Sequence, residues 1–371
     1  MTVTIQHIAG QRLVRQRIQG SGSAPLQPGE VVRLFGAMQA QDYMQAVWAV
    51  GLRTPSAGLP QVEQAIKGRQ LLLTWTLRGT LHFVPPENAK WMLQLCAPRI
   101  LRQAASRLTQ LGLDDKKLER CRKIIYHALK GGRQLPRPEL LKLLEEQGMD
   151  TTGQRGYHIL WHSAYNGLIC FGPRSGKQQT FVLLDEWVEH SRELSFEESL
   201  AELAGTYFTA HGPATVQDFA WWAGLTLTDA RAGLEAVRSR LQAEMVDGSE
   251  YWQPLSDPAS AALPAARAGV HLLAGFDEFI LGYKDRSAVL EPETAPLIVP
   301  GNNGIFLPIV VVDGRVAGTW KRTIKTKGVE LQISTFAPLD LLAQEGVRQA
   351  AERYAAFLNL PLTRLEYLEV T

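Results

Sequence analysis

Cysteine is scarce in this chain: Cys96, Cys121 and Cys170 lie far apart, and no two form a Cys-x-x-Cys pair. That spacing argues against a zinc ribbon or a disulfide framework, and the three read as small buried hydrophobes. No uninterrupted apolar run approaches the roughly 20 residues that a membrane-spanning helix needs. Arg12, Arg15 and Arg17 interrupt the N-terminal stretch, which therefore lacks the apolar core of a signal peptide. The expected location is cytoplasmic, with no membrane partner. Common catalytic signatures are also missing: there is no His-Glu-x-x-His helix, no Gly-x-x-x-x-Gly-Lys phosphate loop and no nucleophile elbow. Gly20-x-Gly22 has no strand before it, and the eight histidines lack ligand spacing. Neither a metal nor a cofactor is expected.

What is present is a repeated unit of three helices followed by a hairpin with a polar or basic tip. It reads clearly at about 117–184 and 198–253 and more loosely at 30–84. In the middle unit, Leu118–Leu129, Arg137–Gln147 and Gly156–Asn166 are the predicted helices. Leu168–Phe171 and Thr180–Leu184 are the predicted strands, flanking a loop from Gly172 to Lys177 that carries Arg174. In the last unit the helices are Glu198–His211, Thr215–Ala223 and Thr228–Gln242, ahead of a hairpin turning at Asp247-Gly248. Helix-turn-helix plus a β-wing is a module that reads nucleic acid, so a tandem array points to DNA as partner.

The charge distribution sharpens this. The net charge is only +2, yet residues 99–155 carry 13 Lys/Arg against 7 Asp/Glu, whereas 185–257 carry 4 against 14. The first stretch suits phosphate neutralisation and the second suits scaffolding turned away from DNA. Two ordinary solvated surfaces would give the same counts.

At the N-terminal end, a helix over 11–19 precedes a breaker run from Gly20 to Pro25. Val31, Leu34, Phe35 and Met38 then fall at helical spacing. Further helices follow over about Gln45–Leu52 and Pro60–Lys67, then a hairpin of Leu71–Thr76 and Thr80–Val84, and a long helix opening at Pro85-Pro86-Glu87. Beyond an Ala/Pro-rich linker at Pro258–Arg267 the texture turns to strands: Val270–Ala274, Ile305–Val312, Val316–Trp320 and Leu331–Ser334. Asp313-Gly314 is a hairpin signal, and a helix over Leu339–Leu358 follows Pro338. The expected fold is α+β, with tandem winged-helix modules followed by a C-terminal β-rich, barrel-like domain. Its divisions are 1–115, 116–190, 191–257 and 258–371.

Two polar constellations stand out. Strand alternation would turn Arg78, Thr80 and His82 to one face, where they either grip a phosphate or sugar or stabilise the hairpin by cross-strand contacts. Gln39-Ala40-Gln41 poses a geometric condition, because residues two apart on an α-helix point to nearly opposite sides. If both amides serve one site, the helix ends near Met38, the segment is extended or turned, and Asp42 can cap the next helix. Otherwise they are two solvent-facing residues in a connection.

These segments occur in one chain with Phe276-Asp277-Glu278-Phe279-Ile280-Leu281-Gly282-Tyr283-Lys284-Asp285-Arg286. Gln39-Ala40-Gln41, Leu77-Arg78-Gly79-Thr80-Leu81-His82 and that long segment together resemble the AlkZ/YcaQ-like bacterial DNA glycosylases over almost the whole length. The resemblance implies tandem winged helices and a C-terminal β-barrel around a DNA channel, with Gln39 and Gln41 as the catalytic pair. The YcaQ-like branch carries Asp at the second position, so Gln41 looks like the AlkZ-like branch. The implied activity is monofunctional hydrolysis of cationic N7-alkylpurines in double-stranded DNA, including interstrand crosslinks. DNA contacts are expected from Arg78, Thr80 and His82 on the first wing and from Arg174 and Lys177 on the second. Asp277 and Glu278 are expected in a structural ion-pair network with Lys284 and Arg286. The alternative is a non-catalytic winged-helix regulator, which would not depend on Gln39 and Gln41.

Overall fold

The computed structural model describes residues 5–20, 24–255 and 269–368. The linker expected at Pro258–Arg267 and residues 21–23 of the expected Gly20–Pro25 loop lie outside them. The chain is a mixed α/β protein with open sheets, and it divides into two compact units, Met1–Val62 with Leu200–Thr371, and Glu63–Ser199. No helix of the described residues is long and apolar enough to cross a membrane.

In the first unit the N-terminal helix is Ile5–Arg15, six residues earlier at its start than the apolar pattern indicated. Helices Pro28–Phe35 and Tyr43–Leu52 follow, then Phe196–His211, which enters this unit at Leu200, and Val216–Ala223 and Leu227–Val237. Thr215 caps its helix through a capping box with Asp218. The hairpin Leu241–Val246 with Ser249–Pro254 turns at Asp247 and Gly248, both at positive φ (47° and 78°), as a type I′ turn requires. Asp313 and Gly314 do the same at 46° and 85°.

The C-terminal strands form one five-stranded sheet in the order Leu362–Leu368, Gly328–Thr335, Arg315–Lys325, Ile309–Val312, Val270–Leu273. The barrel-like expectation is corrected here: among the described residues the sheet is open, with Leu362–Leu368 and Val270–Leu273 as its edges. Helix Leu341–Phe357 packs on it and buries Ala343, Val347, Ala351 and Tyr354, so the apolar face is covered without closure. Tyr354 sits edge-on between Trp48 and Trp320, each with ring centroids 4.9 Å away. The two indoles donate to the carbonyls of Leu272 (2.9 Å) and Leu273 (2.8 Å), which gives each buried N–H a partner. Strand Leu362–Leu368 pairs in parallel with Gly328–Thr335 and has no counterpart in the sequence reading.

The second unit holds helices Ala89–Gln110, Asp115–Leu129, Arg137–Glu146 and Arg155–Tyr165. Its two hairpins, Leu72–Trp75 with Leu81–Val84 and Ile169–Ser175 with Gln178–Leu183, belong to one sheet, joined by the pairing of Leu73 with Phe171. Trp75, Phe171 and Phe181 supply an aromatic core on it, with centroids 4.7–4.8 Å apart along that series. Cys96, Cys121 and Cys170 are free and buried. Burial pushes the Cys96 thiol up to about 12 and that of Cys121 up to about 11, so both are packing residues and not nucleophiles.

Candidate active site

Helix Pro28–Phe35 stops because Gly36 takes φ +70°, where a Cβ would also come within 2.8 Å of the Thr206 methyl. Met38 and Gln39 are extended, and a bend at Gln41 and Asp42 leads into the next helix. Asp42 is the N-cap of Tyr43–Leu52, its carboxylate accepting from the Gln45 amide at 3.1 Å. The geometric condition set by Gln39-Ala40-Gln41 is thus met: the two glutamines lie on a non-helical connection between two helices. Gln39 is 9% exposed, while Gln41 is open to solvent.

The Phe276–Arg286 segment braces this connection. The backbone N–H of Gln39 donates to Glu278 Oε1 at 2.8 Å. The other carboxylate oxygen accepts from Trp222 Nε1 at 2.8 Å and faces His211 Nε2 at 3.3 Å. Glu278 is 1% exposed and opens a four-residue helix capped by Asp277. Immediately before it, Phe276 adopts φ +60°, a strained position for a side chain of that size.

Asp277 faces elsewhere. Its two oxygens take Arg53 Nη2 at 2.7 Å and Nη1 at 2.9 Å, with both side chains fully buried. Arg53 also donates to the Ala49 carbonyl, the Gln16 carbonyl and Gln16 Oε1, so all five of its N–H groups have acceptors. From Gln16 the chain of bonds runs to the Tyr283 hydroxyl (3.0 Å), which donates to the His211 carbonyl (2.7 Å). Burial pushes the Tyr283 phenol up, keeping it a proton donor, and Arg12 stacks over its ring at 3.5 Å.

The expected partners of the acidic pair are therefore corrected. Asp277 and Glu278 form a structural network, but with Arg53 and His211, which lie 224 and 67 residues away. The backbone amides of Lys284 and Asp285 go to Asp218 Oδ1 at 2.9 and 3.0 Å. Arg286 lies between the rings of Trp221 and Phe306, 5.0 and 5.1 Å from their centroids, and donates to the Ile280 carbonyl.

In the second unit, Arg78 occupies a 3-10 turn, Leu77–Gly79, at φ +56°, and the strand begins only at Leu81. Strand alternation consequently does not reach Arg78. Thr80 is half-buried and its hydroxyl donates to the Leu77 carbonyl. His82 is fully buried, its Nδ1 within 3.1 Å of both the Thr76 hydroxyl and the Thr80 carbonyl. The Thr76 carbonyl accepts from the Tyr165 hydroxyl at 2.6 Å, so the turn that presents Arg78 is tied down from both sides. On the next hairpin the strands continue through Ser175 and resume at Gln178, with an irregular register between Gly172 and Ser175. The expected six-residue loop is a two-residue tip, where Arg174 donates to the Lys177 carbonyl at 2.7 Å and Lys177 is exposed.

One basic feature escaped the sequence reading. Lys321, Lys325 and Lys327 are exposed around the turn between Arg315–Lys325 and Gly328–Thr335, beside the exposed Ile324. The signal is there as Lys-Arg-Thr-Ile-Lys-Thr-Lys, outside both the basic stretch 99–155 and the acidic stretch 185–257.

The mixed α/β scaffold that carries these residues matches known proteins. The model of the family described as DNA glycosylase AlkZ-like matches residues 32–357, and this chain belongs to that family of DNA glycosylases. The interstrand DNA cross-link repair glycosylase of Streptomyces sahachiroi is 26% identical over 365 residues, 96% of each chain. The solved structure of Streptomyces sahachiroi DNA glycosylase AlkZ superposes with a TM-score of 0.82 at 25% identity, covering 100% of both chains. Family membership decides for an enzyme acting on DNA over a non-catalytic regulator.

Proposed function

We propose that this glycosylase hydrolyses the N-glycosidic bond of cationic N7-alkylpurines in double-stranded DNA, without strand cleavage, and that its substrates include interstrand crosslinks. The observation that carries this reading is the Gln39–Gln41 connection, bent out of helical geometry and bonded to a buried carboxylate. The name of the Streptomyces sahachiroi relative supports the crosslink.

Alkylation at N7 gives the base a positive charge, so it departs without prior protonation. The transition state then resembles an oxocarbenium ion, and the enzyme must orient a water and favour the developing charge. A glutamine amide accepts hydrogen bonds and presents a carbonyl dipole, yet it is no base near neutral pH. Two glutamines therefore suffice for an activated leaving group and fail with a neutral purine. The chemistry itself selects damaged DNA.

The units at 30–84, 117–184 and 198–253 act in this reading as winged-helix modules, within divisions at 1–115, 116–190, 191–257 and 258–371. Arg78, Arg174 and Lys177 contact phosphate, while Thr80 and His82 set the backbone of the first tip; Lys321, Lys325 and Lys327 add a further basic contact. Arg78→Ala is expected to weaken binding to all duplex sequences alike and to lower the slope of log affinity against log salt by about 0.9. Fluorescence anisotropy at several salt concentrations measures this, and an unchanged slope would remove Arg78 from the interface.

Incubation of the chain with duplex DNA containing N7-methylguanine tests the function. Release of free base, leaving an abasic strand that breaks only on alkali, is the expected result. Tight binding with no released base, or breakage without alkali, would overturn the substrate or the monofunctional mechanism respectively.

A further inference from the structure

We propose that Glu278 is a positioning residue of this glycosylase, its carboxylate fixing the backbone of Gln39 and thereby the direction of the glutamine amides during bond cleavage. The inference rests on the catalytic role given above to Gln39. Glu278 is almost completely buried, and it faces three nitrogens: the Gln39 amide, the Trp222 indole and His211 Nε2. The first two can only donate, so the side chain serves them as a double acceptor. His211 is assigned the Nε2–H tautomer because its neighbour at that nitrogen is an acceptor.

A carboxylate is an expensive way to fill a core position, since its desolvation costs several kcal/mol (on that order) before any partner is gained. An apolar side chain would pack helix Glu278–Leu281 at less cost, but it would leave the Gln39 N–H with no acceptor there. The cradle around the carboxylate is also rigid. The His211 ring stacks on Tyr207 at 4.6 Å and meets Phe35 edge-on at 5.4 Å. Gly282 has no side chain where a Cβ would lie 2.5 Å from His211 Cδ2. One residue earlier, Asp277 is clamped by Arg53. The segment is thus anchored on two sides by consecutive acids, and only one of them reaches the Gln39 connection. Because a misplacement of about 1 Å can cost about 100-fold in rate, such an anchor belongs to the chemistry as well as to the fold.

Glu278→Gln keeps the shape and replaces one acceptor oxygen with an NH2 group that cannot accept. In single-turnover release of N7-methylguanine it is expected to slow cleavage about 10–100-fold, with duplex affinity within about twofold of native. In a Gln39→Ala background the same change is expected to have no further effect, since residues acting as a unit are non-additive. Equal losses in both backgrounds, a loss confined to affinity, or native rates from a folded Glu278→Gln protein would each overturn the proposal. Should that variant fail to fold, Trp222→Phe removes one donor to Oε2 and retains a ring. It is expected to slow release about 3–10-fold with the same non-additivity, and a native rate would overturn the proposal. Amide hydrogen exchange at Gln39 reads the contact without substrate, so a native chain inactive on N7-methylguanine would sink the substrate reading alone. Loss of Gln39 protection in either variant supports the anchor, and unchanged protection refutes it.

Discussion

Gln39→Ala combined with Gln41→Ala is expected to lower single-turnover base release by about 10²–10⁴-fold, with duplex affinity changed by less than about threefold. The size follows from the role assigned to the amides. A single preorganised polar group facing developing charge accounts for about 10²–10³ in rate, and two that orient one water act as a unit. Each single variant should therefore lose most of what the pair loses. Gln39 is the buried member, its backbone bonded to Glu278, whereas Gln41 is open to solvent, so Gln39→Ala should be the more damaging of the two. Binding should survive because the basic turns at Arg78, Lys177 and Lys325–Lys327 are untouched. Parallel kinetics and anisotropy measure both quantities. Equal release by the native chain and the double variant would remove the glutamines from the reaction.

Asp277→Ala is expected to destabilise the first unit by about 3–5 kcal/mol, because it leaves the Arg53 guanidinium buried without its counter-charge. Four other contacts of Arg53 and Gln16 depend on the same geometry, and they run on to Tyr283 and His211. Asp277→Asn, which keeps one acceptor oxygen, should lose less. Urea unfolding followed by amide exchange in peptides covering residues 276–286 measures and localises the loss. A loss of less than about 1 kcal/mol would mean that the pair is replaceable by packing.

The two variants bear on the part of the molecule that was least legible in the sequence. Local signals translated well: Asp42 caps its helix, the helix expected over Thr215–Ala223 is found at Val216–Ala223, and Asp247-Gly248 and Asp313-Gly314 both turn hairpins. Each depends on a few adjacent residues, and the physics is complete within the window. Nearness along the chain points Asp277 and Glu278 to Lys284 and Arg286, whereas the fold supplies Arg53, Trp222 and His211 from distant parts of the chain. Strand Leu362–Leu368 escaped because parallel pairing to Gly328–Thr335 needs a crossover helix and leaves no turn signature. Pro173 and Gly176 signal a longer tip on the second hairpin than the fold has, because the strands continue through an irregular register to Ser175. Gln39 and Gln41 themselves were found through the resemblance. Their residue types gave only the condition that the helix must stop, and Gly36 and Asp42 fulfil it.

The central claim is that the charge on the alkylated base, and not an acid on the enzyme, makes the purine leave. The direct measurement compares release of N7-methylguanine with its neutral isostere, 7-methyl-7-deazaguanine, in otherwise identical duplexes under single-turnover conditions. The account expects similar affinity for both duplexes, prompt release of the cationic base and no detectable release of the neutral one. Comparable release of the two would contradict it, since a neutral leaving group requires a proton that two glutamines cannot give.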